Sequence, residues 1–177
     1  MDNTKLSKID IINKSVSITY DLYANVKRDR LNRIVSLEQP FDNIILRESK
    51  KLTDLNFLVN ISIIGSSYKE NDIFSQGIDK LYVDMIMQKC TTDEKERLST
   101  ELCQIEVDLK NGVTNIKGSN FPKIYKSTSV VDIDKIDISE FKNPFGEYLI
   151  YFEVRDTEER VKNSNRVVKG AGVLTVS

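Results

Sequence analysis

Residues 15–26 alternate with a period of two. Val16, Ile18, Tyr20, Leu22, Ala24 and Val26 fall on one parity, and Ser15, Ser17, Thr19, Asp21 and Asn25 on the other. Successive side chains of a strand point to opposite faces, so this stretch predicts a long strand with one buried and one wet face. It runs into the charged turn Lys27-Arg28-Asp29-Arg30-Leu31-Asn32-Arg33 and returns through Ile34 to Glu38, which predicts a long N-terminal β-hairpin ending near Pro40. Leu55 to Ile64 repeats the strand pattern, with Phe57, Val59, Ile61 and Ile63 on one face and Gly65-Ser66-Ser67 closing it. Glu147 to Val154 is apolar on both faces, with Tyr148, Ile150, Phe152 and Val154 against Leu149 and Tyr151. Such a run needs cover on both sides and predicts a central strand, with Gly170 to Val176 as its neighbour.

From Ile78 the spacing changes to three and four. Ile78, Leu81, Tyr82, Met85 and Ile86 form one stripe, and Asp79, Lys80, Asp84 and Gln88 lie outside it, which predicts an amphipathic helix of about three turns. Thr91-Thr92-Asp93-Glu94 supplies a helix start, Leu98, Leu102, Ile105 and Leu109 a second stripe, and Asn111-Gly112 a stop. A rival reading stands beside it: Ile105, Val107 and Leu109 also alternate, and Asn-Gly is a strong hairpin signal, with Val113 to Lys117 as the return strand. Asp42 to Leu52 reads as an extended segment and a turn, and Lys123 to Phe141 as a long irregular connection with one edge strand. The expected class is therefore α+β: mainly antiparallel β-sheet with a long N-terminal hairpin and one or two amphipathic helices in mid-chain. No repeat, low-complexity tract or linker divides the 177 residues, so one domain over 1–177 is expected.

Charge narrows the functional classes. The 26 Lys plus Arg nearly cancel the 27 Asp plus Glu, for a formal net charge of -1, so no whole-molecule field draws in nucleic acid or anionic membrane. No segment reaches the about 18 consecutive apolar residues of a membrane span. The N-terminal MDNTKLSKIDIINK carries Asp2 and Asp10 and only a short apolar run, unlike a secretory signal, and the expected location is cytoplasmic or within a virus particle.

The chain has no histidine, which removes imidazole-based triads, most zinc chemistry and the imidazole pH switch. Cys90 and Cys103 are expected as buried thiols on helical segments rather than a disulfide; Glu101 and Glu106 beside Cys103 disfavour its thiolate. Asp132, Asp134 and Asp137 gather three carboxylates, yet a calcium loop wants glycine at its sixth place and glutamate at its twelfth, where Asp137 and Asn143 stand. They read as the wet face of an edge strand. Gly170-Ala171-Gly172 follows no strand-to-helix context and reads as a bulge or a close packing contact rather than a phosphate cradle.

The remaining candidate surface is the hairpin tip, where Lys27, Arg28, Arg30 and Arg33 can reach phosphates or acidic protein patches. It lacks the interleaved aromatics on which single-strand binders stack bases. The expected function is a non-enzymatic structural or assembly protein, without cofactor or metal, that contacts other protein subunits as a homo-oligomer or larger assembly. A ring, adaptor, neck or tail component of a virus particle fits that description. The alternative is a nucleic-acid-binding module using tip 27–33, and third comes a carboxylate- or metal-dependent enzyme using Asp132, Asp134 and Asp137.

Overall fold

The computed structural model describes residues 5–31, 33–40, 43–44, 51–94, 97–111, 113–114, 123–138, 143–159 and 166–177. The chain begins with helix α1 (Lys8–Ser15), capped by Ser7, whose hydroxyl accepts from the Asp10 amide, and it buries Ile11 and Ile12. Among the described residues ten strands follow: β1 (Val16–Arg28), β2 (Ile34–Pro40), β3 (Asn43–Ile44), β4 (Lys51–Ile64), β5 (Lys80–Lys89), β6 (Ser99–Asp108), β7 (Val113–Thr114), β8 (Ile124–Asp137), β9 (Gly146–Arg155) and β10 (Arg166–Val176). They form two five-stranded sheets, ordered β2-β1-β4-β8-β7 and β3-β10-β9-β5-β6. Every pairing is antiparallel except the short contact of β3 with β10.

The two sheets share one apolar core. The first contributes Ile18, Leu22, Leu55, Phe57, Val59, Ile61 and Ile63; the second contributes Leu81, Val83, Met85, Met87, Tyr148, Ile150, Phe152, Val154, Leu174 and Val176. On each strand these residues recur at every second position, so one face of each sheet is turned to the other. Burying a side chain of this size stabilises the fold by roughly 1.5–3 kcal/mol. β1 has partners on both sides: Val16 to Tyr23 pair with β4, and Tyr23 to Arg28 with β2. β9 lies between β10 and β5, with Val154, Phe152, Ile150 and Tyr148 opposite Val83, Met85, Met87 and Lys89 of β5.

Both helices expected in mid-chain are strands. β5 and β6 pair antiparallel from Lys80↔Asp108 to Gln88↔Ser99. Leu81, Val83, Met85 and Met87 alternate as well as Leu81, Tyr82, Met85 and Ile86 step by three and four, so the local pattern satisfies both periods. Pairing with β9 on one side and β6 on the other selects the strand. The Thr91 hydroxyl accepts from the Asp93 amide in the β5–β6 connection.

Residues 123–141 also differ from expectation. The edge strand expected within this connection is far longer than a short run: 124–137 form the 14-residue β8, paired with β4 from Lys51↔Asp137 to Ile64↔Ile124, and 139–141 lie outside the described residues. Helix α1 lies in a segment whose short apolar run carried no helix expectation. Of the expected extended segment over Asp42 to Leu52, residues 42 and 45–50 lie outside the described residues, and β3 and the start of β4 flank 45–50. Among the described residues no helix is long and apolar enough to cross a membrane.

Candidate functional site

The β1–β2 tip is organised by Asp29. Its Oδ1 accepts from the amides of Leu31 at 2.8 Å and Arg33 at 2.9 Å, and its Oδ2 accepts from Arg33 Nε at 2.7 Å. An aspartate that bonds backbone amides two and four residues on closes a turn locally. The Arg33 amide, then the Arg33 side chain and the Leu31 amide, hold the Asp29 carboxyl below its usual range. Lys27 pairs with Glu38 across the two strands, and that hydrogen bond lowers the Glu38 carboxyl. Arg28 reaches Asp132 on β8 at 3.0 Å.

Three of the four basic residues are thus held by carboxylates, and the local balance is four bases minus three acids, or +1. Arg30 has no such partner among the described residues. A tip that neutralises itself has few free counter-charges for phosphates, and exposed pairs of this kind contribute little to stability. Asp132, the first residue of the acidic triplet, is a partner for Arg28; the side chains of Asp134 and Asp137 lie outside the described residues. Among the described residues no three acidic or thiol side chains gather as metal ligands.

The most strongly organised charges lie elsewhere. Asp84 on β5 is fully buried and Arg155 at the end of β9 is 1% exposed. They point away from the core, on the outer face of the second sheet, because Asp84 stands opposite Glu153 and Arg155 opposite Tyr82. Arg155 Nε donates to Asp84 Oδ2 at 2.7 Å and its Nη2 to Oδ1 at 2.9 Å. Its Nη1 donates to the carbonyls of Thr157, at 3.0 Å, and Glu158, at 2.5 Å, so the chain leaving β9 turns back over the pair. Gln104 on β6 adds a donor to Asp84 Oδ1 at 2.9 Å. Three adjacent strands and a loop are tied by one bidentate pair. The sequence pattern placed Asp84 outside the apolar stripe of an expected helix; the period-two pattern, which puts Asp84 between Tyr82 and Ile86, is the signal that marks it.

The cysteines occupy different environments, correcting the expectation of two buried thiols on helices. Cys90 is exposed just beyond β5 and Cys103 half-buried on β6. Burial above all, with Glu101 and Asp84 adding to it, pushes the Cys103 thiol up to about 11. Cys103 stands opposite Met85, and Cys90 lies five residues further along β5. That is roughly 16 Å of strand, beyond the ~7 Å Cα separation a disulfide spans.

Gly170-Ala171-Gly172 is a bulge at which the β9–β10 register shifts between Lys169 and Gly172, and Gly170 adopts a φ of 57°. Here β10 crosses close to β1. A Cβ on Gly170 would lie 2.6 Å from the Ile18 carbonyl oxygen, and one on Gly172 2.5 Å from the Tyr20 hydroxyl. A shallow cleft of about 380 Å³ runs along this seam, lined by Tyr20, Leu22, Phe57, Ile150, Ala171 and Val173. Its walls are mostly apolar, with Thr19, Asp21 and the Tyr20 side chain as the polar groups.

The backbone edges complete the picture. Among the described residues nothing pairs with the outer side of β6, and β7 covers β8 only at Ile124 and Tyr125. Large apolar side chains are also displayed: Leu31 is 72% exposed, Val35 62% and Val168 60%. Comparison of the sequence with protein-family models and with curated proteins finds no match.

Proposed function

We propose that this chain is a non-enzymatic assembly protein that works through protein–protein contacts made by its sheet edges. The observation that carries this reading is the row of backbone groups on β6 and on β8 beyond Tyr125 that no described strand covers. Unpaired strand edges present donors and acceptors in the order another strand needs, and association through them requires no pocket and no reactive side chain. The exposed Val35 and Val168 add apolar area beside other edges. A subunit of a closed symmetric assembly, in a cell or in a virus particle, uses its surface in this way.

The self-neutralised tip counts against the nucleic-acid alternative, since Lys27, Arg28 and Arg33 already have carboxylate partners. The test is the mass of the purified chain in solution by light scattering, across protein concentration and salt. A defined species heavier than the 20.3 kDa monomer is the expected result. A monomer under every condition overturns the homo-oligomeric reading.

A further inference from the structure

β1 belongs to two structures in turn. From Val16↔Ile63 to Tyr23↔Asn56 it is a strand of the first sheet, with β4 as its neighbour and β8 beyond, where Asp132 stands opposite Asn56. Asn56 precedes the buried Phe57, so Asn56 and Asp132 lie on the outer face, turned away from the second sheet. From Tyr23 to Arg28 the register of β1 is with β2. Two strands without a third are marginal on their own, so the place of this hairpin is set by what it touches on the rest of the molecule.

Arg28 shows where the hairpin lies. A strand rises about 3.3 Å per residue and neighbours sit about 4.8 Å apart, so a straight β1 would carry the Arg28 Cα roughly 19 Å from that of Asp132. The two side chains together reach about 10 Å. Yet Arg28 Nη2 donates to Asp132 Oδ2 at 3.0 Å, across β4 and 104 residues away in sequence. After Tyr23, therefore, β1 turns out of the line of the first sheet and carries the hairpin back toward β8. At the residue that makes the contact the β1–β2 register shifts: Ser36 stands opposite Lys27 and Ile34 opposite Arg28, with Val35 as the extra residue of a bulge, which adds local twist.

Asp132 shares its face of β8 with Ile136, four positions on, which is buried, while Leu55 on the other face of the ladder is buried as well. This end of the β4–β8 pair is thus covered on both faces. The Arg28 side chain is 28% exposed and that of Asp132 49%. An ion pair shielded only in part holds by modest Coulomb attraction, and salt weakens it. From this geometry we infer that the β1–β2 hairpin is a strap folded back over the outer face of the first sheet and latched there by Arg28 and Asp132, with its hinge at residues 24–26. Release of the latch swings the tip, with Arg30 and the exposed Leu31, clear of the body of the fold. The device is independent of the assembly reading and needs no partner chain.

Pulsed electron paramagnetic resonance reads the position of the strap. In a Cys90→Ser/Cys103→Ala background, Val35→Cys on β2 and Lys126→Cys on β8, both exposed positions, carry the spin labels. One short distance is expected to dominate while Arg28 and Asp132 are both present. Asp132→Asn should raise the share of a second, longer distance about two- to fivefold, and about 1 M salt should shift the unsubstituted latch in the same direction. In an Arg28→Gln background, where the latch is already broken, Asp132→Asn should add nothing. Circular dichroism and thermal melting of each variant show that the fold itself persists. A long distance alone with both latch residues present overturns the folded-back strap. A distribution that Asp132→Asn leaves unchanged, or an equal opening by Asp132→Asn with and without Arg28, overturns the latch.

Discussion

Arg155 and Asp84 are joined by two hydrogen bonds, of 2.7 and 2.9 Å, on the outer face of a sheet, where both are inaccessible to water. Outer faces are usually solvated, and this one is closed over the pair by the chain that follows β9. Desolvating two charges is costly, and the pair repays it only because every side-chain oxygen and nitrogen has a partner: two lone-pair sites of Asp84 are taken by Arg155, another by Gln104, and the remaining guanidinium nitrogen by the Thr157 and Glu158 carbonyls.

Removing one partner leaves the other buried and uncompensated. Asp84→Ala or Arg155→Ala is expected to destabilise the fold by about 3–5 kcal/mol, whereas the joint replacement Asp84→Leu with Arg155→Met recovers most of that loss. Chemical unfolding of the three variants measures it. If the double variant is no more stable than the worse single, the pair is not an isolated electrostatic unit.

A second prediction concerns the seam between the sheets. Tyr20 packs edge-on against Phe57 of its own sheet and Phe152 of the other, with ring centroids 6.0 and 5.8 Å away, and its hydroxyl occupies the space a Cβ on Gly172 would need. Gly172→Ala should cost about 1–3 kcal/mol through overpacking. Tyr20→Phe removes the clashing oxygen and should restore part of the loss, so that a double-mutant cycle shows favourable coupling. Gly170→Ala meets backbone, the Ile18 carbonyl, at a φ that L-residues rarely adopt, and Tyr20→Phe should not rescue it.

The third prediction is the pH profile of stability. The carboxyls of Asp29, Glu38 and Asp108 lie below their ordinary values, chiefly through hydrogen bonds from Arg33, Lys27 and Asn111 respectively. Groups with a depressed folded pKa stabilise the fold above their unfolded value of about 4, and that contribution is lost as pH falls through the folded value. On the alkaline side, burial raises Tyr20 and Tyr148 to about 12 and Cys103 to about 11, from 10.0 and 9.0, and the Glu106 partner raises Lys80. A raised folded pKa stabilises the fold below the unfolded value and is lost as pH rises through the folded one, so stability should decline from about pH 9 upward. Lys169, lowered by burial, acts in the opposite direction. Urea unfolding across pH should show a plateau between these limits, with Asp29→Asn weakening the acid dependence and Cys103→Ala the onset of the alkaline one. An alkaline profile unchanged by Cys103→Ala contradicts the assignment.

The sequence by itself determined the elements whose pattern admits one period only. β1 and β4 alternate cleanly because each has one buried face, and β9 is apolar on both parities because Leu149 and Tyr151 on its outer face are half-buried as well. Gly170-Ala171-Gly172 was legible as a bulge or close contact because glycines in a strand have few other uses. Tertiary structure decided the rest. In β5 the apolar residues Leu81, Tyr82, Val83, Met85, Ile86 and Met87 satisfy helix and strand alike, and only distant partners on β9 and β6 break the tie.

The four tip bases were legible as a cluster, but the pairing of Lys27 and Arg28 depends on Glu38 and Asp132, the second of which is 104 residues from Arg28. The outer-face ion pair joins residues 71 apart. Periodicity is a local property of a chain and reports which face of an element meets water. Partner strands, buried ion pairs and free edges are set by contacts between distant segments, and no local pattern contains them.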